Sequence, residues 1–397
     1  MVRSIRRRRQ QHSGAMAEAS LRSRQQYFPA LTALRGIAAL CVVVFHYSVG
    51  SFPNLHLTDT TFFVGKSYLF VDLFFALSGF ILMHVYGRSF ADGPSATTVG
   101  PFLRARLARL YPLHLAILGG FVLLELLKLA IDGPGLGAFG GTHTLPTLPG
   151  SLLLLNATGI YDTLTWNGPS WSISAEWLVG LAFPLLVPIV ARLRPAGLLL
   201  LYVATLAGFA LLSAGPRLDL DLTSDWGVPR CFLGFTGGMV LYRVWRDGAP
   251  GWMATDAAAL ATAAGIVLAM HLNTRGVFIV PLFGLLILCL AQNTARVGRA
   301  MATRPMIFLG EISYAVYLAQ ILVLDSVHLG WRLATGHEFE EAGFSALQSL
   351  GIIALMVAAL LPISVLLHRA VEVPARGWLR RAGLPRPLRP AIVQRPG

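Results

Sequence analysis

Apolar runs of about twenty residues recur along almost the whole chain, and short basic segments separate them. A helix needs roughly 20 apolar residues to cross the hydrocarbon core of a bilayer. Ten runs meet that need: 31–50, 67–87, 110–131, 171–191, 197–214, 228–245, 255–271, 276–293, 306–328 and 348–368. A further run at 152–155 is too short to span and reads as a re-entrant or interfacial piece. At 397 residues the chain could hold two or three soluble domains. Only 13% of it is charged and 55% is hydrophobic, whereas a soluble globule carries about 25% charged residues. The fold class expected is all-α: a polytopic membrane helix bundle of about ten transmembrane helices.

The formal net charge of +13 suits nucleic-acid binding only if the basic residues form a patch with interleaved aromatics. Here they fall in clusters between apolar runs, which is the positive-inside pattern. With the N-terminus in the cytoplasm and ten spans, 25 of the 32 Lys and Arg lie on the cytoplasmic side and 6 outside, with Arg35 inside the first span. A missed helix would invert every later loop, so this bias supports both the count and cytoplasmic N- and C-termini. The longest outer loop, 132–170, has no Lys or Arg and is rich in Gly, Pro and Thr.

Three domains follow. Residues 1–26 form an Arg-, Gln- and Ser-rich tail expected to be disordered. Met16 is an alternative start to Met1, and no small-residue cleavage site marks a signal peptide. Residues 27–381 form the membrane domain, and 382–397 an Arg/Pro-rich cytoplasmic tail. Cys41, Cys231 and Cys289 sit far apart in apolar runs, with no spacing for zinc or a disulfide framework. They read as helix-packing residues, and no metal is expected.

Ionisable groups inside spans cost about 2.5–3.5 kcal/mol each at mid-helix, so they point to function. The first run holds Arg35 and His46, eleven residues apart and therefore on one face. Packing or snorkelling of the Arg would account for either residue alone. The second run reads Phe70-Val71-Asp72-Leu73-Phe74-Phe75-Ala76-Leu77-Ser78-Gly79-Phe80, with Asp72 a buried carboxylate and Ser78-Gly79 small enough for close helix approach. Before the third run stands Arg104-Ala105-Arg106-Leu107-Ala108-Arg109-Leu110-Tyr111-Pro112-Leu113-His114. Arg106 and Arg109 are i,i+3 neighbours whose forks suit phosphates; positive-inside topology explains them equally well. The fourth run opens Asn167-Gly168-Pro169-Ser170-Trp171-Ser172-Ile173-Ser174-Ala175-Glu176-Trp177, placing Glu176 one to two turns inside the membrane, where it needs an Arg or His partner. Ser313-Tyr314-Ala315-Val316-Tyr317-Leu318-Ala319-Gln320 and Glu372-Val373-Pro374 could be structural.

Together these strings resemble acyltransferase family 3, the membrane acyltransferases that include O-antigen acetylases. The resemblance covers 27–381, with five strings in family order: Leu34-Arg35-Gly36-Ile37-Ala38-Ala39 with His46, the Asp72 string, Arg106-x-x-Arg109 with Tyr111-Pro112, the Asn167 string and the Ser313-Tyr314 string. It implies an acyl donor, usually acyl-CoA (acetyl-CoA) as co-substrate with no permanently bound cofactor. It implies a hydroxyl acceptor, often a sugar of a surface polysaccharide or glycolipid, and a bacterial inner-membrane location. It implies that Arg35, His46, Arg106 and Arg109 are needed for activity. In the family the Ser313-Tyr314 string of the ninth run often ends in a His, where this chain has Gln320.

On that basis Arg35, Arg106 and Arg109 are expected to hold coenzyme A phosphates, and His46 to take the acceptor's proton as general base. Glu176 or Asp72 would orient His46, and a covalent acyl-histidine is the variant mechanism. The partners expected are acyl-CoA, a sugar-containing acceptor and the lipid bilayer, with no nucleic acid. A small glycosylated metabolite such as a macrolide is the alternative acceptor. A proton-coupled transporter is the alternative class, though the inverted repeats and paired broken helices common in transporters are not visible.

Overall fold

The computed structural model describes residues 27–381 apart from 50, 53, 134–136 and 216–218. The basic tail 1–26 with Met16, the tail 382–397 and Arg217 lie outside the described residues. Among the described residues every regular element is helical. Each of the ten apolar runs contains a long helix: α1 (Pro29–Ser48), α2 (Phe70–Tyr86), α3 (Ala96–Asp132), α4 (Ser170–Arg192), α5 (Pro195–Ser213), α6 (Gly227–Gly248), α7 (Asp256–His271), α8 (Gly276–Gln292), α9 (Arg304–Thr335) and α10 (Ala346–Leu367). Seven regions are long and apolar enough to cross a membrane: α1, α2 with its flanking turns, α3, α4, α5, α9 and α10 with its extension. The helices α7 and α8 are apolar but shorter. The helix α6 carries Arg230, Arg243, Arg246 and Asp247 and is not among the seven.

Two boundaries differ from the sequence pattern in ways that matter. The helix α3 begins at Ala96, well before the apolar run, because Ser95 and Thr98 form a reciprocal capping box. Arg106 and Arg109 therefore sit inside a helix and not ahead of one. The helix α9 runs on to Thr335, where Gly336 at φ 77° ends it. Beyond α10 a π-turn, His368–Glu372, leads into a last helix, Val373–Arg381, and carries Glu372 back toward the bundle. The run at 152–155 abuts a five-residue helix, Leu148–Leu152.

The tightest pairings are α1 with α9 and α2 with α6. Glycine makes both possible. A Cβ on Gly79 of α2 would lie 1.9 Å from the Phe235 carbonyl oxygen of α6, and one on Gly310 of α9 would lie 1.9 Å from that of Thr32 in α1. Small residues at such crossings let backbones approach closely. An inner and an outer set of helices result. The apolar stretch of α2 is 67% buried, whereas those of α5 and α10 are only 22% buried. Leu199, Leu200, Leu211, Leu347, Leu355 and Leu366 face outward, as helices in contact with lipid require. The three cysteines are free thiols within the helices, with Cys231 and Cys289 buried.

Candidate functional site

The helix α1 places Arg35 and His46 on one face, about 16 Å apart along the axis at 1.5 Å per residue. Each opens onto a different cavity. Arg35 lines a narrow one of about 100 Å³, together with Ser78, Arg106, Arg109, Glu176 and Tyr314. His46 lines a wider one of about 380 Å³, walled in part by Tyr68, His143, Trp166, Trp171, Asp221 and Asp325. Val71 of α2 and Tyr317 of α9 line both.

The narrow cavity is built on one carboxylate and several guanidinium groups. Glu176 Oε1 accepts from Arg106 Nη2 at 2.5 Å and from Ser78 Oγ at 2.6 Å. The partner that Glu176, a half-buried carboxylate inside a span, takes is therefore Arg106. Arg106 Nε is buried with no hydrogen bond. Arg35 Nη2 donates to Ser313 Oγ at 3.3 Å, and Ser313 Oγ in turn donates to the Gly310 carbonyl at 2.7 Å. Tyr314 Oη donates to the Leu110 carbonyl at 2.6 Å and fixes α9 against α3. Arg109 lies within electrostatic reach of Arg35, Arg106 and Arg376, and its guanidinium makes no hydrogen bond to the described residues. Arg376, from the last helix, is an ion-pair partner of Glu372, which is 1% exposed and also accepts from His368 Nδ1 at 2.7 Å. Three lining arginines against one carboxylate leave net positive charge, which suits a phosphate-bearing ligand.

The wide cavity has the opposite character. His46 Nδ1 donates to the Val42 carbonyl at 2.9 Å. A carbonyl can only accept, so the proton is fixed on Nδ1 and Nε2 keeps its lone pair. Gln320 and Asp221 are the side chains whose polar groups act on the ring. Gln320 is fully buried and its Oε1 has no hydrogen bond. On the far wall, Glu125 on α3 holds His143 by Nδ1 at 2.8 Å, Lys128 by Nζ at 2.6 Å and the Phe139 amide at 2.7 Å. His143 and Trp166 belong to the segment between α3 and α4, which folds back over the bundle. Trp166 is buried at φ 59° and its indole donates to Thr147 Oγ1 at 3.2 Å.

Neither carboxylate put forward from the sequence to orient His46 is bonded to it. Glu176 is committed to Arg106 and Ser78 in the other cavity. Asp72 accepts two hydrogen bonds from Arg230 of α6, from Nε at 2.9 Å and from Nη2 at 2.7 Å. Arg230 is buried and lies over the rings of Trp171 and Tyr68 at 5.4 and 5.9 Å. The acid facing His46 is Asp221, which nothing in the sequence had marked out. Arg35, Arg106 and Arg109 line one cavity, and Arg376 of the last helix lies within electrostatic reach of Arg109.

A family model described as "Acyltransferase domain" (Acyl_transf_3) matches residues 28–369. The chain is 30% identical over 386 residues to "Acyltransferase MdmB" of Streptomyces mycarofaciens, covering 89% of this chain and 92% of that protein. It is 37% identical over 172 residues to "Protein 2 in picA locus" of Rhizobium radiobacter, covering 39% of this chain and 80% of that protein. No solved structure matches.

Proposed function

This chain belongs to acyltransferase family 3, whose members transfer acyl groups other than aminoacyl groups, and on that premise we propose that it carries an acyl group, acetyl first, from acyl-CoA to a sugar hydroxyl. The observation that carries this reading is the contrast along α1: a guanidinium cluster at Arg35, and at His46 an imidazole whose Nδ1 donates to its own helix, in cavities that share a wall.

In the proposed orientation ten helices span, both termini are cytoplasmic, and the Arg35 end meets the cytoplasm, where the donor is made. Arg35, Arg109 and Arg106 hold the coenzyme A phosphates, with Arg376 beside them, and Glu176 positions Arg106. The thioester reaches past Val71 and Tyr317 toward His46. The acceptor hydroxyl gives its proton to His46 Nε2 while its oxygen attacks the thioester carbonyl. The C–S bond breaks, the O–C bond forms, and the proton passes to the departing thiolate to give coenzyme A and an ester. Asp221 supports the imidazolium that forms in between.

The acceptor read first is a sugar of a surface polysaccharide or glycolipid at a bacterial inner membrane. Aromatic faces and acidic groups around the wide cavity suit a polyhydroxylated ring. Its volume of about 380 Å³ also falls in the range of small-molecule sites, about 300–1,000 Å³, which favours a small glycosylated metabolite as the second reading. The test is transfer of labelled acetyl from acetyl-CoA in membranes that contain the protein. Label should appear in a glycan or glycolipid fraction, or in an added glycosylated metabolite, as a base-labile ester. Membranes with and without the protein labelling alike would contradict the reading.

A further inference from the structure

The two cavities share part of their walls. Of the residues that wall them, Val71 on α2 and Tyr317 on α9 line both. On the donor side the neighbours of this pair are Phe74, Ser172 and Ile173; on the acceptor side they are Pro169 and Trp171. These two side chains therefore stand between the arginine cluster and His46.

Tyr317 is held rigidly there. Its hydroxyl lies 2.9 Å from Ser172 Oγ and donates to the Pro169 carbonyl at 3.3 Å, so it is pinned to the first turn of α4. Asn167 Nδ2 donates to the Leu318 carbonyl at 2.9 Å and ties the same strand of chain to α9 one residue further on. The ring of Phe74 meets the Tyr317 ring edge-on at 5.9 Å between centroids. Tyr317 is 5% exposed and Val71 4%. A constriction with so little freedom discriminates by size, because each methylene of misfit at a tight apolar wall shifts a rate by about tenfold or more.

We infer that Val71 and Tyr317 form the gate between the donor and acceptor cavities and set the length of acyl group that reaches His46. The inference rests on the proposed donor and acceptor assignment. It makes both residues determinants of specificity: they touch the travelling acyl group and neither moves a proton. The hydrogen bonds of Tyr317 serve to hold its ring in place.

The test measures transfer from acetyl-, propionyl-, butyryl- and hexanoyl-CoA by wild type, Tyr317→Ala, Tyr317→Phe and Val71→Leu, each checked for membrane level. Tyr317→Ala should raise the hexanoyl-to-acetyl rate ratio by about tenfold. Val71→Leu should lower the butyryl-to-acetyl ratio by a similar factor. Tyr317→Phe keeps the ring and should keep the wild-type order of donors. If Tyr317→Ala fails to fold, Val71→Leu alone decides the matter. Variants whose rates fall equally for every donor would overturn the gate and leave the transfer reading standing. A wild type that transfers none of the four would overturn both at once.

Discussion

The two ends of α1 work in contrasting ways. Around Arg35 the bundle is narrow, densely charged and cross-tied: Arg106 and Ser78 share one oxygen of Glu176, and Glu372 holds Arg376 and His368. Around His46 it is wider and aromatic, and the catalytic candidate is tied to its own helix at the Val42 carbonyl, with Gln320 of α9 against its ring. Groups that bind a fixed polyanion gain from mutual ties, since each guanidinium must stay charged and aimed. A general base gains from being left alone on one nitrogen. The two ends differ in their partners: Asp72 and Glu176 are committed to arginines, whereas the His46 ring bonds the Val42 carbonyl through Nδ1 and has Gln320 beside it.

Substitutions can break or sharpen that contrast. The largest effect should come from His46→Ala, which should cut transfer by about 10²–10⁴, the usual worth of a general base, with unchanged protein level in the membrane. Next is Asp72→Ala. It strands Arg230, fully buried between helices, and should destabilise by about 3–5 kcal/mol, read as a lower melting temperature in detergent. The double change Asp72→Leu with Arg230→Met should recover most of that loss, because buried ion pairs replaced together by apolar groups are often neutral. Arg109→Ala should raise the donor's KM by about tenfold or more, since a hydrogen bond to a charged group contributes about 1.5–3 kcal/mol. Arg376→Ala should change it least, by up to about fivefold, because that side chain is a third exposed and exposed pairs contribute about 0–1 kcal/mol.

The helices were legible in the sequence because a run of twenty apolar residues has one stable solution in lipid. The tie between Glu176 and an Arg was legible too, since a carboxylate inside a span needs a cation. Which cation it takes was not: Arg106 and Arg230 both face inward, and only the crossing of α2 with α6 at Gly79 and Gly238 gives Asp72 to Arg230. The wide cavity was hidden for a different reason. Its walls include Thr142, His143 and Trp166 from the segment after α3 and Asp221 from that before α6. Those segments carry no periodicity, and their placement depends on long-range contacts such as that between His143 and Glu125. Gln320, read as the loss of a family histidine, lies against His46, and that contact has no signature at a spacing of more than two hundred residues.

The most direct measurement is equilibrium binding of coenzyme A to purified wild type, His46→Ala and Arg109→Ala by calorimetry. His46→Ala should bind it as tightly as wild type, while Arg109→Ala should bind it about tenfold or more weakly. Equal weakening in both variants, or binding untouched by Arg109→Ala, would contradict the division of α1 into a donor end and a reacting end.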